Sequence, residues 1–316
     1  MMLPLVIVNP SSAGGATESV WPRLASDLST HFGAFNCAFT RRAGDGRRLA
    51  AEGARDGRRL IIACGGDGTI SEVANGILES GEDVEIGILP SGTGGDFRRS
   101  IGTPARAADA ARALRRGHTR RMDIGRATFI NHDGVEESRY FLGVASFGMS
   151  AEVIERVKEN SSEWLPNVGS RILKGKLSFA LAMLQTTLSA EKKIVHVQVD
   201  DKAERRLTVT NLCIANARYF GGGMKIAPEA KLNDGQFDVV SIGDLSAAEI
   251  LANAHQLYLG THLGMRQVHH TRATRIHAQS ADKDVLISLE LDGELPGRLP
   301  ATFEILPRAL RVRCPS

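Results

Sequence analysis

Residues 60–69, Leu-Ile-Ile-Ala-Cys-Gly-Gly-Asp-Gly-Thr, are the most informative part of this sequence about its fold. Its first half is an apolar run typical of a buried strand, and a helix-like stretch from Ile70 to Leu78 follows the glycines. Glycine has no Cβ atom, so its backbone N–H groups can approach a bound anion, and the next helix N-terminus adds further N–H groups. A carboxylate at the apex, Asp67, would repel phosphate unless a metal ion or proton donor lay between them. The turn therefore predicts phosphate binding combined with chemistry.

The same order of strand, loop and helix extends over the first 120 residues. Apolar runs at 3–8, 35–39, 60–64 and 84–89 alternate with helix-like stretches at 17–31, 46–57, 69–80 and 105–117. Continuous apolar strands separated by helices predict an α/β domain with a parallel sheet. Ligands bind such sheets beyond the carboxyl ends of the strands, where the loops at 9–15, 40–46, 65–69 and 91–96 fall. This arrangement predicts a nucleotide site.

The pattern changes after about Asp123. Runs rich in β-branched and other apolar residues recur between turn signals, at 139–147, 193–199, 206–215, 236–242, 266–278, 284–292 and 301–305. They predict a mainly antiparallel β-sandwich, interrupted by helices near 149–160, 169–189 and 245–258. We therefore expect an α/β domain over residues 1–122 and a β-sandwich over 123–305. The sequence leaves open whether residues 306–316 return to the first domain.

Composition excludes several classes of protein. A net charge of +3 with 24% charged residues is too mild to indicate nucleic-acid binding. The four cysteines lie far apart without metal-site spacing, which favours a reducing, cytoplasmic setting. No apolar segment reaches the ~18 residues that span a bilayer. Four histidines, at 262, 269, 270 and 277, are interpreted as surface residues.

Three further clusters carry candidate chemistry. The stretch from Pro90 to Phe97 repeats the strand, glycine turn and carboxylate, and either this loop or the first could be a simple turn with an N-cap aspartate. Asp234, with backbone carbonyls nearby, has the oxygen donors that a hard cation prefers. Asp292 and Glu294 flank a glycine, and one of them can serve as general base toward a hydroxyl.

Together these motifs resemble the soluble diacylglycerol kinase catalytic family, which includes bacterial lipid kinases, sphingosine kinases and ceramide kinases. The matching segments run in order through the chain: 8–10, 65–69, 90–97, 145–148, 221–228, 233–235 and 292–294. The resemblance implies an NAD-kinase/diacylglycerol-kinase-like fold and an ATP- and Mg²⁺-dependent kinase. It also implies a lipid hydroxyl as acceptor, with diacylglycerol converted to phosphatidic acid. A protein of this kind visits the membrane surface from the cytoplasm, and a homodimer is among the states that the sequence leaves open.

The resemblance also implies roles for individual residues. The ATP-binding set is Asn9, Thr40, Gly65, Gly66, Asp67, Gly68, Thr69, Glu72, Thr93 and Asp96. Glu294 matches the family's proton acceptor, with Asp292 beside it and Asp67 as a further catalytic acid. A structural magnesium site is implied at Asp234 with the carbonyls of Lys231 and Gln236. The acidic network of the catalytic magnesium comprises Asp67, Asp96 and Asp123.

Two departures from the family pattern keep alternatives open. Gly95 stands where many members carry asparagine, and the loop at 11–15 lacks the basic residue that often follows Asn-Pro. Both weaken the prediction of nucleotide contacts, so a non-catalytic nucleotide-binding relative remains an alternative. An NAD kinase is the other, because it shares the Gly65–Thr69 motif; the Asp292–Glu294 turn argues against it. The apolar stretch at 168–188 is either a packing helix or a wall of the lipid site.

Overall fold

The computed structural model describes residues 2–91, 95–163, 186 and 192–316, without the side chains of 158–163. The chain forms two compact units, one of Met1–Ile124 with Leu306–Ser316 and one of Gly125–Ile305. The assignment of ATP binding to residues 1–122 and of lipid-kinase chemistry to 123–305 stays a prediction. Thr93 and the predicted helix at 169–189 lie outside the described residues, apart from Thr186.

The first unit contains the predicted parallel sheet. Its strands are β1 (Leu5–Val8), β2 (Asn36–Phe39), β3 (Leu60–Gly65) and β4 (Glu85–Pro90), in the order β2-β1-β3-β4. Its helices are α1 (Ala16–His31), α2 (Asp45–Arg55), α3 (Asp67–Ser80), α4 (Asp96–Ser100) and α5 (Ala107–Arg116). The C-terminal part of the last strand, β15 (Glu294–Cys314), pairs in parallel with β4 at Arg311 and Val312.

The apolar runs of β1, β3 and β4 are almost entirely buried, as expected for strands covered on both faces. The run that forms β2 differs, because this strand lies at the edge of the sheet and is largely exposed. Ile62 and Cys64 of β3 pack with Leu28 of α1 and Leu114 of α5 in one core. On the other side, α2 and α3 approach closely: a Cβ atom at Gly76 would lie 2.1 Å from the Arg47 carbonyl oxygen. This contact between helices places the start of α2 beside the third turn of α3.

The second unit is antiparallel, with strands β6 (Glu136–Phe141), β7 (Val144–Gly148), β8 (Lys193–Val199), β9 (Arg205–Val209), β10 (Asn211–Ala215), β11 (Phe237–Ile242), β12 (Val268–Ala273), β13 (Arg275–Ser280) and β14 (Ser288–Leu291). Helix α6 (Met149–Glu163) follows β7, and α7 (Ala247–Leu259) follows β11. One run of neighbouring strands is β12-β11-β10-β7-β14-β15, and another is β9-β8-β13-β15. Their inner faces share one core around Phe147, Phe237 and Phe303. The predicted sandwich is confirmed.

Several predicted strand boundaries were wrong. The runs at 139–147, 206–215 and 266–278 are each two strands, broken at 142–143, at Thr210 and at Thr274. The prediction also missed β5 (His118–Asn131), whose first four residues are polar or basic and exposed. Distant side chains cause two of the breaks: carboxylates bind the backbone N–H groups of Gly143 and Thr274.

Burial and helix length bear on two further sequence predictions. His262 is 2% exposed and lies 3.0 Å from the Ile226 carbonyl oxygen, so it is not a surface residue. Burial lowers the pKa of its imidazole. Among the helices that the structure describes, none combines the length and the apolar character needed to cross a bilayer.

Candidate active site

The Gly65–Thr69 turn joins β3 to α3, as predicted. A Cβ atom at Gly65 would lie 2.4 Å from the Thr69 hydroxyl oxygen, so only glycine fits there. Thr69 is buried, and its hydroxyl accepts a hydrogen bond of 3.0 Å from the Asn9 side-chain amide. The loop after β1 and the loop after β3 are therefore joined at the carboxyl edge of the sheet.

Asp67 connects the two glycine loops. Its carboxylate accepts hydrogen bonds from the backbone N–H groups of Gly95 (2.6 Å), Asp96 (3.2 Å) and Phe97 (3.3 Å). Helix α4 starts at Asp96, so these are N–H groups that the helix itself leaves without an acceptor. An ionised carboxylate offers about four lone-pair positions, so Asp67 keeps further acceptor capacity. The carboxylate that is anomalous in a phosphate turn therefore also fixes the second loop.

Gly95 has a backbone conformation that strongly favours glycine. Its φ of +77° is left-handed, and a Cβ atom would lie 2.9 Å from the Arg98 Nε. The backbone N–H of Gly95, rather than a side-chain amide, makes the short hydrogen bond to Asp67. Glycine in place of the family's asparagine therefore does not remove the hydrogen bond that holds this loop to Asp67. Asp96 forms an ion pair of 2.7 Å with Arg99.

Glu72 organises the loop at 40–46. Its two carboxylate oxygens accept hydrogen bonds from Gly44 N–H (2.8 Å) and Gly46 N–H (2.9 Å). A Cβ atom at Gly46 would lie 2.6 Å from Glu72 Oε2, so the close approach depends on glycine. In the same loop, hydrogen bonds led by that from the Arg41 backbone N–H lower the pKa of Asp45. The geometry assigns Glu72 a loop-fixing contact, and its predicted contact with nucleotide stays a prediction.

A cluster of hydroxyl groups joins the loop at 9–15 to the loop at 91–96. Sequence reasoning missed this cluster. The Thr17 hydroxyl oxygen lies 2.5 Å from that of Ser12 and 2.6 Å from that of Ser91. Ser12 also donates to the Ser91 carbonyl oxygen at 2.9 Å. Serine and threonine are common in loops, so nothing in the spacing of these residues distinguishes them.

The predicted magnesium residues are only partly grouped. Asp123 is fully buried and accepts a 2.7 Å hydrogen bond from the Arg308 backbone N–H. Asp234 is exposed and accepts one of 3.2 Å from Gln236 N–H. In the described part of the chain no three His, Cys, Asp or Glu side chains are grouped as a metal site. Carbonyls at Lys231 and Gln236 would complete the predicted oxygen site, which stays a prediction.

The Asp292–Glu294 turn lies between β14 and β15. The Asp292 carboxylate accepts hydrogen bonds from three successive backbone N–H groups, those of Leu142 (2.7 Å), Gly143 (2.8 Å) and Val144 (3.1 Å). Its backbone has a left-handed φ of 49°. Glu294, at the start of β15, is exposed. The two carboxylates thus have different surroundings: Asp292 fixes the turn, and Glu294 faces solvent.

Sequence reasoning missed Glu290, the acid just before this turn. It is 3% exposed, and its Oε1 accepts a 2.7 Å hydrogen bond from Gly293 N–H. Burial, reinforced by the charge of Asp292, raises the pKa of Glu290 to about 7. Its place between Leu289 and Leu291 gave no sequence signal of burial, because alternation along a half-buried strand ordinarily places a charged residue toward solvent.

The comparisons with known proteins agree with this fold. A model described as the diacylglycerol kinase catalytic domain matches residues 4–127. One described as the YegS C-terminal NAD kinase beta sandwich-like domain matches residues 143–314. A diacylglycerol kinase of Bacillus subtilis is 31% identical over 228 residues, 72% of this chain and 68% of that protein. One of Staphylococcus saprophyticus is 28% identical over 98% of this chain and 95% of its own length.

Solved structures extend the match over nearly the whole fold. A crystal structure described as a diacylglycerol kinase from Bacillus anthracis has a TM-score of 0.70 at 21% identity, covering 99% of this chain and 96% of that one. A second structure from that organism has a TM-score of 0.75 at 24% identity. The two domain models define a kinase of NAD-kinase-like architecture. The chain belongs to the diacylglycerol kinase family. The predicted fold class and the predicted enzyme class, a lipid kinase, are confirmed.

Proposed function

We propose that this protein transfers the γ-phosphate of ATP, in the presence of Mg²⁺, to the hydroxyl group of diacylglycerol, giving phosphatidic acid. The observation that carries this proposal is the Asp292–Glu294 turn. Three backbone N–H groups fix Asp292, while Glu294 stays exposed one residue beyond the glycine. A rigidly placed, solvent-facing carboxylate suits the task of accepting a proton from an incoming hydroxyl.

The nucleotide half of the proposal rests on the glycine turn. Gly66 precedes α3, a helix of 14 residues whose first N–H groups and partial positive charge favour phosphate oxygens. The Asn9–Thr69 hydrogen bond fixes one side of this turn, and Asp67 fixes the loop beside it. In the proposed complex these loops, with Thr40 and Thr93, surround the phosphates and ribose of ATP.

The donor set fits magnesium. Mg²⁺ usually takes one or two carboxylates together with waters and substrate phosphates. Asp67 keeps acceptor capacity beyond its three backbone contacts, so it would hold the ion directly or through water, supported by Asp96 and Asp123. When bound, the ion would neutralise charge on the transferred phosphoryl group. A second, structural ion would lie at Asp234.

The chemical step then needs little covalent help from the protein. The lipid hydroxyl oxygen attacks the γ-phosphorus, Glu294 takes the hydroxyl proton, and ADP leaves with the electrons of the broken P–O bond. General-base assistance of this kind contributes roughly 10²–10⁴-fold in rate. Asp292 contributes by fixing the backbone from which Glu294 extends.

A labelled-ATP assay tests the proposal. Purified protein, Mg²⁺ and γ-labelled ATP are incubated with mixed micelles of diacylglycerol, ceramide, sphingosine or phosphatidylglycerol, and with NAD in a lipid-free arm. The proposal expects label in phosphatidic acid, abolished by EDTA. Label in NADP without labelled lipid would indicate an NAD kinase, and no transfer would indicate a non-catalytic relative.

Membrane contact follows from the proposed acceptor, because diacylglycerol resides in bilayers. We propose a cytoplasmic protein that binds the membrane surface transiently, without contact to nucleic acid. Flotation with vesicles that contain diacylglycerol tests this part, and absence of the protein from the vesicle fraction under turnover conditions would contradict it. A homodimer stays a prediction, for which sedimentation analysis is the measurement.

A further inference from the structure

A buried polar chain runs through the second unit behind the Asp292–Glu294 turn. Glu290 of β14 lies opposite Ser146 of β7, and Ser146 lies opposite Cys213 of β10. Glu290, Ser146 and Asn211 are at most 3% exposed. A hydrogen bond links the Glu290 carboxyl group to the Ser146 hydroxyl. The proposed mechanism assigns no role to any of these groups.

The orientation of the Asn211 amide fixes one end of the chain. Its Oδ1 accepts from the Ser150 backbone N–H at 3.1 Å, and a flipped amide would place two donors against each other. The Asn211 Nδ2 is 3.1 Å from Cys213 Sγ, a weak acceptor. The Ser150 hydroxyl, 2.9 Å from the same Oδ1, must therefore donate to it.

The number of available hydroxyl protons then determines which group donates at the Glu290 end of the chain. Ser150 has spent its one hydroxyl proton on Asn211, so in the 2.6 Å contact between the Ser146 and Ser150 oxygens the proton comes from Ser146. Ser146 has no proton left for Glu290. Its hydrogen bond with Glu290 is satisfied only when the carboxyl group supplies the proton. An ionised Glu290 would leave one of the three contacts as two facing lone pairs, which is costly in a buried site.

The surroundings of Glu290 favour the same neutral form. The anionic Asp292 disfavours a second negative charge at Glu290, and the interacting Cys213 is a buried thiol whose pKa burial raises. The second oxygen, Oε1, accepts the Gly293 N–H at 2.7 Å, as the carbonyl oxygen of a protonated acid can. Burial raises the pKa of Glu290 to about 7, in agreement with the proton count.

We propose that Glu290 is a protonated acid in the folded protein up to about neutral pH and acts as a positioning residue for the kinase reaction. It donates to Ser146 and accepts from the Gly293 N–H, and so it fixes the peptide group between Asp292 and Gly293, one residue before Glu294. The kinetic part of this inference rests on the proposed function. The protonation state does not.

Substitution by glutamine separates this proposal from a role for the ionised carboxylate. The amide oxygen of Glu290→Gln can accept the Gly293 N–H, and its NH₂ group can donate to Ser146. We therefore expect the kcat of Glu290→Gln to be within about threefold of wild type. If ionisation of Glu290 lowers the kcat of wild type above about pH 7, that decline should be absent from Glu290→Gln, because an amide does not ionise. Glu290→Ala is expected to lower kcat at least ~10-fold with little change in KM for ATP.

A measurement without turnover decides the protonation state by itself. The infrared difference spectrum of wild type minus Glu290→Gln, at pH 6, should contain the carbonyl band of a protonated acid, shifted by ¹³C-glutamate labelling. Exposed Glu136, changed to glutamine, is the matched control and should give no such band. Absence of the band from wild type would overturn the proposal, as would a kcat of Glu290→Gln as low as that of Glu290→Ala. If wild type transfers no phosphate, the proposed function fails while the infrared result still decides Glu290.

Discussion

Replacing Asp292 by asparagine tests whether this aspartate acts by fixing the turn. The substitution keeps the shape of the side chain, and asparagine tolerates the left-handed φ of 49°, so little backbone strain is added. The carboxylate uses one oxygen for Gly143 and Val144 and the other for Leu142. An amide has only one oxygen, so its NH₂ group must face a backbone N–H.

The size of the effect follows from these contacts. A hydrogen bond to a charged group contributes about 1.5–3 kcal/mol, and a buried N–H left without an acceptor costs about 1–3 kcal/mol. The lost hydrogen bond and the N–H without an acceptor are partly the same contribution, so the two energies are not added in full. We expect Asp292→Asn to lower the free energy of unfolding by roughly 2–4 kcal/mol. We also expect kcat to fall at least ~10-fold, since a misplaced turn moves Glu294. Urea unfolding and the labelled-ATP assay measure the two effects.

Asp200 offers a matched control in the same unit. It also has a left-handed φ, of 50°, and accepts backbone hydrogen bonds from Thr274 (2.8 Å) and Arg275 (2.9 Å) in a different turn. Both backbone bonds reach the same carboxylate oxygen of Asp200, which an amide retains. Asp200→Asn should therefore lower stability less than Asp292→Asn does, and it should not lower kcat. Unchanged stability of Asp292→Asn would refute the reasoning, and so would an equal loss of kcat in the control.

Three further predictions concern other acidic residues of the candidate site. Glu294→Gln should lower kcat by about 10²–10⁴-fold with an unchanged urea midpoint; near-wild-type turnover would remove Glu294 as the base. Asp67→Asn should raise KM for ATP and lower the urea midpoint. One carboxylate oxygen of Asp67 accepts from Gly95 N–H and the other from Phe97 N–H, whereas an amide has only one oxygen that can accept. No change in either quantity would contradict the loop-fixing role of Asp67. The pKa of Glu290 is raised in the folded state from 4.5 to about 7, so folding binds a proton there. The stability of wild type relative to Glu290→Gln should therefore fall between about pH 4.5 and 7, by roughly 3 kcal/mol at most, and level off above; a rise over this range would invert the assignment.

Local patterns sufficed where the determining contacts were local. The run Leu60 to Cys64 is buried on both faces, so its continuous apolar character predicted a strand of a parallel sheet correctly. Helix α3 began where the glycine turn indicated. By contrast, the break between β6 and β7 depends on Asp292, 150 residues further along the chain from Leu142. No window around Leu142 contains that information.

The contrast between local and distant contacts also explains which features of the candidate site the sequence predicted and which it did not. The conflict between Asp67 and phosphate was visible in the sequence, but its backbone partners lie 28–30 residues away and became clear only in the structure. Glu290 was hidden because a single charged residue in a strand usually faces solvent. β14 lies inside the sheet between β7 and β15, and helix α6 packs against it, so the burial of Glu290 depends on elements distant in sequence.

Phosphate transfer from γ-labelled ATP to 1,2-diacylglycerol in mixed micelles, measured for wild type and Glu294→Gln, tests the proposed activity and its proposed base together. Triacylglycerol, which has no free hydroxyl, serves as the matched lipid and NAD as the competing acceptor. We predict label in phosphatidic acid with wild type and Mg²⁺. We predict at least ~100-fold less with Glu294→Gln and none with triacylglycerol or NAD. Labelled NADP without labelled phosphatidic acid, or equal transfer by the two proteins, would contradict these predictions.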